Sequence, residues 1–235
     1  MKQKLKIGRG FTLVELLVVI VIIAALAGLT APMVIRQRKK ADQTEAVSNA
    51  RQIGMALFDF DTEYGGFPDA TTAATVAANT ATTASTDTKA NGRFRQLFLA
   101  GITTSEPMFY AKTAFTVKPD GDISTPANRS KALENGECGF AMIVNSDDTA
   151  MSSAGNSNRI LLAAPLDKTL TGEKFDKDPY DSKAVLLRLD NSVSSVTIAQ
   201  DSTVKINKLP FFDTTDGGAY SGMTTAPKFA FPISK

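Results

Sequence analysis

Between Phe11 and Ile35 the chain runs apolar for 25 residues, interrupted on the hydrophilic side only by Thr12, Glu15 and Thr30, with Pro32 near the end. As a helix this stretch is about 37 Å long, enough to cross a hydrocarbon layer of about 30 Å with some tilt. Lys2, Lys4, Lys6 and Arg9 precede it and Arg36, Arg38, Lys39 and Lys40 follow it. With four cations on each side, charge counting alone does not orient the span. Three readings compete: a secretory signal peptide, a plain single-pass anchor, and a segment in which the carboxylate has a task. Glu15 lies where a signal peptide needs unbroken apolar sequence. Inside a membrane an ionised carboxylate costs about 2.5–3.5 kcal/mol at mid-helix and less near the interface, so such a residue is normally paired or functional.

The run Gly10-Phe11-Thr12-Leu13-Val14-Glu15, behind a short basic leader and ahead of Pro32, closely resembles the N-terminal segment of type IV prepilins and their pseudopilin relatives. That resemblance implies cleavage between Gly10 and Phe11 by a prepilin peptidase and N-methylation of the new Phe11 terminus. It also implies an inner-membrane, single-pass orientation with the leader cytoplasmic and the bulk of the chain periplasmic or, in an assembled filament, extracellular. The expected partners are copies of the same chain and related pilins in a helical filament, the peptidase, and an inner-membrane assembly platform. On this reading Phe11 and Glu15 are the assembly residues. Cleavage creates a cationic amine at Phe11, and a staggered neighbour's Glu15 can neutralise it, while a mis-staggered subunit leaves one charge unpaired.

Beyond Pro32 a helical pattern continues. Ala41, Thr44, Val47, Ala50, Ile53, Leu57, Phe60 and Tyr64 recur at spacings of three and four, with charges on other faces, until Gly65, Gly66 and Pro68 end it. The spacing predicts one helix from Phe11 to about Tyr64, roughly 80 Å long, with Gly28 and Pro32 as places to bend. Residues 46–57 and 63–68 are also similar, more loosely, to pseudopilins.

The expected division is 1–10 leader, 11–35 membrane and assembly helix, 36–66 amphipathic helix, 67–92 Ala/Thr-rich loop and 93–235 globular head. The biased stretch Asp69–Asn91 has few side chains large enough to anchor it and reads as a loop. Arg93–Ala100 reads as a short helix stopped by Gly101. Candidate strands are Phe140–Val144, Arg159–Ala164, Ala184–Leu189, Val193–Ala199 and Thr203–Ile206, separated by turn-rich segments that suit antiparallel meanders. The tail from Leu209 reads as ordered coil whose Phe211, Phe212, Phe229 and Phe231 serve the core. The predicted class is α+β, a long helix laid on an antiparallel sheet, which is also the arrangement that the resemblance to pilins implies.

Composition removes several kinds of chemistry. The chain has no histidine, so Ser-His and Cys-His pairs and His-based zinc sites are out, and no catalytic residue is assigned. Cys138 is the only cysteine and forms no intramolecular disulfide. The net charge of +2 becomes −2 without the four cations of the first ten residues, which gives no electrostatic case for nucleic acid. The acidic run Glu173–Asp181 offers Asp176, Asp178 and Asp181 as weak calcium candidates against the alternative of a solvated acidic turn. Asp178-Pro179-Tyr180 resembles a segment of major pseudopilins, some of which bind calcium, but Tyr stands where Trp is usual and the following glycine is missing. No other cofactor is expected.

Two functions follow. In one, the chain polymerises through its N-terminal helix as a structural subunit, with a type II secretion pseudopilus slightly favoured over a surface pilus. In the other, the same helix only tethers an extracytoplasmic binding or enzymatic domain.

Overall fold

The computed structural model describes residues 11–84, 87–124 and 129–235. Its longest element is helix α1, Leu13–Tyr64, which runs through Gly28 and Pro32 without interruption. It begins two residues later than expected because Thr12 caps it. The chain divides into two compact units between Lys39 and Lys40. In the first, the apolar side chains of the N-terminal stretch are 46–80% exposed, with no core of their own.

The second unit is built on a five-stranded antiparallel sheet. Its strands are β1 (Ala141–Val144), β2 (Ile160–Ala164), β3 (Lys183–Arg188), β4 (Val193–Thr197) and, after a two-residue hairpin of β5 (Lys205–Ile206) and β6 (Leu209–Pro210), β7 (Lys228–Ala230). The order across the sheet is β4-β3-β2-β1-β7. Every residue of β1 and β2 is buried, so both sheet faces are covered. The five expected strands are all present with ends shifted by up to two residues. The tail differs from the expected coil: Lys228, Phe229 and Ala230 pair with Val144, Ile143 and Met142 and form a sheet edge. Pairing with β1 satisfies the tail's backbone while burying Phe229. Phe211, Phe212 and Phe229 are buried and Phe231 is half-buried. Phe229 lies 5.4 Å from Phe211 and 4.8 Å from Phe212 between ring centroids, so the aromatics do form core.

From Lys40 onward α1 buries Ala46, Asn49, Ala50, Ile53, Gly54, Ala56, Leu57 and Phe60, at the three- and four-residue spacing of a single face. A Cβ at Gly54 would overlap the Asn191 side chain and lie 3.1 Å from Leu187 Cδ2, so glycine lets the helix backbone approach the β3–β4 turn. Asn49 Nδ2 donates to the carbonyls of Pro107 (3.1 Å) and Tyr110 (2.9 Å), tying a short 3-10 turn, Pro107–Phe109, to the helix.

The loop expected over 67–92 is corrected by the structure. Residues Ala70–Thr80 form helix α2, and helix α3 starts at Ala90, ending at Leu99. Two causes combine. Asp69 Oδ1 accepts from the Thr71 and Thr72 N–H groups at 2.8 and 3.0 Å, and the Asp69 N–H donates to Thr72 Oγ1 at 2.8 Å, closing a capping box. Alanine then gives high helix propensity, and Thr72, Ala73 and Val76 suffice to bury one face. Small side chains anchor a segment when the neighbouring surface comes close enough.

Candidate functional site: the N-terminal segment and the head carboxylates

Thr12 and Glu15 form a second capping box, at the start of α1. The Thr12 N–H and hydroxyl both donate to Glu15 Oε2, at 2.8 and 2.7 Å, while the Glu15 N–H donates to Thr12 Oγ1 at 3.2 Å. Two of the donors that a helix start leaves unpaired are thereby satisfied. Among the described residues all of the bonds that Glu15 accepts fall on Oε2, and Oε1 has no partner. Glu15 also sits in the first turn, where the helix dipole favours an anion. Phe11 is 80% exposed. Gly10, the other processing residue, lies outside the described residues. The sequence singles out Glu15 as an anomaly; Thr12 it marks only as a polar interruption. The Thr-x-x-Glu spacing was the signal for its capping role.

Asp176, Asp178 and Asp181 are not brought together as a cation site. Asp176 Oδ1 accepts from the Asp178 N–H at 2.9 Å, the pattern of a self-closed turn, and Asp178 and Asp181 are exposed. Among the described residues the carboxylates that converge are instead Glu106, Asp120 and Glu137, whose ligand atoms lie within 4.8 Å of one another. Such oxygens are the donors a hard divalent cation takes. Here they already have work. Glu106 accepts from the N–H groups of Leu133 (2.7 Å) and Gly121 (2.8 Å), and Glu137 accepts from those of Asp120 (3.2 Å) and Glu134 (2.6 Å). Burial is the first cause that pushes the Glu106 and Glu137 carboxyls above the ordinary glutamate value; neighbouring carboxylates add to it, Glu137 and Asp120 for Glu106 and Asp120 and Glu134 for Glu137, while the backbone N–H bonds oppose it. These three acids are scattered over 32 positions, and nothing in the sequence links them.

Buried and half-buried polar side chains of α3 tie down the irregular segments around it. Arg93 donates to the carbonyls of Thr88, Pro68 and Asp148, Arg95 to that of Ala132, and Asn91 to that of Leu133 while accepting from the Ile233 N–H. Cys138 is fully buried, its thiol pushed up to about 12 by desolvation, and it donates to the Phe140 carbonyl at 3.4 Å. A thiol held in that form is a packing group.

Residues 6–31 match the prokaryotic N-terminal methylation motif. The chain is similar to the type II secretion system core protein G of Pectobacterium carotovorum subsp. carotovorum, with 40% identity over 60 residues, 26% of this chain and 38% of the relative. It is also similar to the type II secretion system core protein G of Escherichia coli (strain K12), with 49% identity over 49 residues, 21% of this chain and 34% of the relative. The chain thus spans little more than a third of either relative's length. No solved structure matches. Helix α1 is long and apolar enough to cross a membrane. Over its N-terminal segment the chain carries the prokaryotic N-terminal methylation motif and is similar to proteins named as a type II secretion system core component, and its long apolar helix with an antiparallel sheet has the pilin-like layout.

Proposed function

We propose that this chain is a structural subunit of a type IV pilus-like filament, of the type II secretion pseudopilin kind. It is cut between Gly10 and Phe11, methylated at Phe11, and polymerised through its N-terminal helix with other copies and related pilins on an inner-membrane platform. The head then stands on the far side of the membrane. It performs no catalysis.

One observation carries this reading: a carboxylate held at the start of an otherwise apolar helix, with one oxygen committed to Thr12 and the other without a partner among the described residues. The open oxygen is the acceptor that a neighbour's terminal amine needs, and pairing offsets the cost of burying either charge alone. The capping box fixes Glu15 before a neighbour arrives, so less side-chain freedom is lost on assembly. Similarity to proteins named as core components of a type II secretion system favours a pseudopilus over a surface pilus.

The test is to express the full chain with a prepilin peptidase and an assembly machinery, then read the mature N-terminus by mass spectrometry and the filaments by shear-fraction microscopy. A methylated Phe11 terminus and filaments that vanish on Glu15→Val support the proposal. Retention of Met1, or cleavage near Ala27, overturns it.

A further inference from the structure

Four cations close the far end of the apolar span: Arg36, Arg38, Lys39 and Lys40, all on α1. Helix geometry spreads them around the axis. With Arg36 as zero, Lys40 lies about 40° to one side, Lys39 about 60° to the other, and Arg38 about 160° round. Arg36, Arg38 and Lys40 are exposed, and their side chains have no hydrogen-bond or ion-pair partner among the described residues. No acid lies between Glu15 and Asp42, and the Asp42 carboxylate already takes Lys112 Nζ at 2.7 Å. From Leu13 to Ile35 the helix is about 34 Å long against a hydrocarbon layer of about 30 Å, so the cations begin where the hydrocarbon ends. From Arg36 to Lys40 it rises about 6 Å, the depth of one headgroup layer. Removing these four cations as well as the leader's takes the net charge of the chain from −2 to −6.

We propose that these four side chains form a collar that binds the phosphates of anionic lipid headgroups. The inference rests on the membrane-anchored reading and adds to it the class of lipid that the anchor selects. The spread of the charge decides between occupants. A neighbouring protein meets one side of a helix, and no single side carries all four cations. A headgroup layer surrounds the helix and meets every side. The acid-free stretch decides which lipid. With no carboxylate at that depth on α1, a zwitterionic headgroup, which brings a cation with each phosphate, leaves the collar's charge uncompensated, and an anionic headgroup removes it. Two of the four are arginines, whose guanidinium takes two phosphate oxygens at once. Processing sharpens the effect. Once cleavage behind Gly10 removes the leader, the collar supplies the basic side chains that flank the span. It also offsets the repulsion between an anionic surface and the rest of the chain.

The test reconstitutes the full chain into phosphatidylcholine vesicles containing phosphatidylglycerol. Spin-labelled phosphatidylglycerol and spin-labelled phosphatidylcholine are the probes, and the fraction of each immobilised at the protein gives the preference. The leader is neutralised throughout by Lys2→Gln, Lys4→Gln, Lys6→Gln and Arg9→Gln, so that the collar alone is read. A preference for phosphatidylglycerol of at least about five-fold is expected, falling toward one in about 1 M salt. Arg36→Gln, Arg38→Gln, Lys39→Gln and Lys40→Gln together abolish it, and Arg36→Lys with Arg38→Lys keeps most of it. Equal immobilisation of the two lipids, or a preference that survives the four glutamines, overturns the proposal. Millimolar glycerol phosphate leaves the preference intact when a lipid surface is the ligand; if it removes the preference, the cations bind free phosphate and the collar fails. Carbonate extraction separates this outcome from failure of the anchor. A chain that stays with the vesicles yet shows no preference leaves the membrane reading standing, and a chain that carbonate releases ends both.

Discussion

Glu15 Oε2 takes two hydrogen bonds from Thr12, one from the backbone and one from the hydroxyl, so the carboxylate at the head of the apolar helix is held by its own chain. Replacing Thr12 with valine keeps the bulk but removes the hydroxyl, which both donates to Glu15 and caps its N–H. The first turn of α1 is then expected to lose about 1 kcal/mol of local stability, and Thr12→Ser to keep it. Amide exchange over residues 12–16 in detergent micelles reads this directly. Faster exchange in Thr12→Val alone is the expected result.

Gly54 offers a case where helix propensity points the wrong way. In an exposed helix interior Gly→Ala stabilises by up to about 1 kcal/mol. Here the added methyl meets Asn191, and Gly54→Ala is expected to destabilise the head by about 1–3 kcal/mol. Asn191 has φ 61°, so Asn191→Gly relieves the contact at a position that suits glycine. Thermal melts of the two single variants and the double variant check this, the double recovering most of the loss.

Asp69 serves three backbone donors: Oδ1 takes two at the start of α2 and Oδ2 accepts from the Ala150 N–H at 3.1 Å. Asp69→Ala removes a helix cap and a link to the loop after β1, with an expected cost of about 1–2 kcal/mol. Asp69→Asn retains part of it. Urea midpoints order the three proteins as wild type, Asn, Ala.

Glu106 has no exposed surface and faces Glu137 and Asp120. A carboxyl whose folded pKa is raised holds its proton more tightly in the folded state than in the unfolded one. Its contribution is therefore full below the ordinary glutamate value and is lost as pH rises through the raised folded value. Glu106→Gln cannot ionise. Its melting temperature relative to wild type is expected to be lowest in mild acid and to climb toward neutral pH. A difference that stays flat across that range defeats the assignment. The lowered carboxyls of Asp147, Asp167 and Asp201, each bonded by a nearby threonine, act in a more acidic window and with the opposite sign.

Cys138, buried and far from a thiolate at neutral pH, is expected to resist thiol reagents in the native chain and to react fully once urea unfolds it. Ellman titration with and without denaturant is sufficient.

Periodicity and composition alone determined the long helix, the strands with their order along the chain, the core role of the C-terminal phenylalanines and the exclusion of histidine chemistry. Apolar spacing is a local property, and Glu15 stands out against twenty-odd greasy neighbours whatever the chain folds into. Tertiary structure decided the rest. Helix α2 forms because Asp69 caps it and because Ala73 and Val76 find a surface close enough for small side chains to fill. The tail becomes a strand because β1 offers an open edge. Glu106, Asp120 and Glu137 meet, while Asp176, Asp178 and Asp181 do not, because convergence of carboxylates depends on where loops cross in space and adjacency in sequence says little about it.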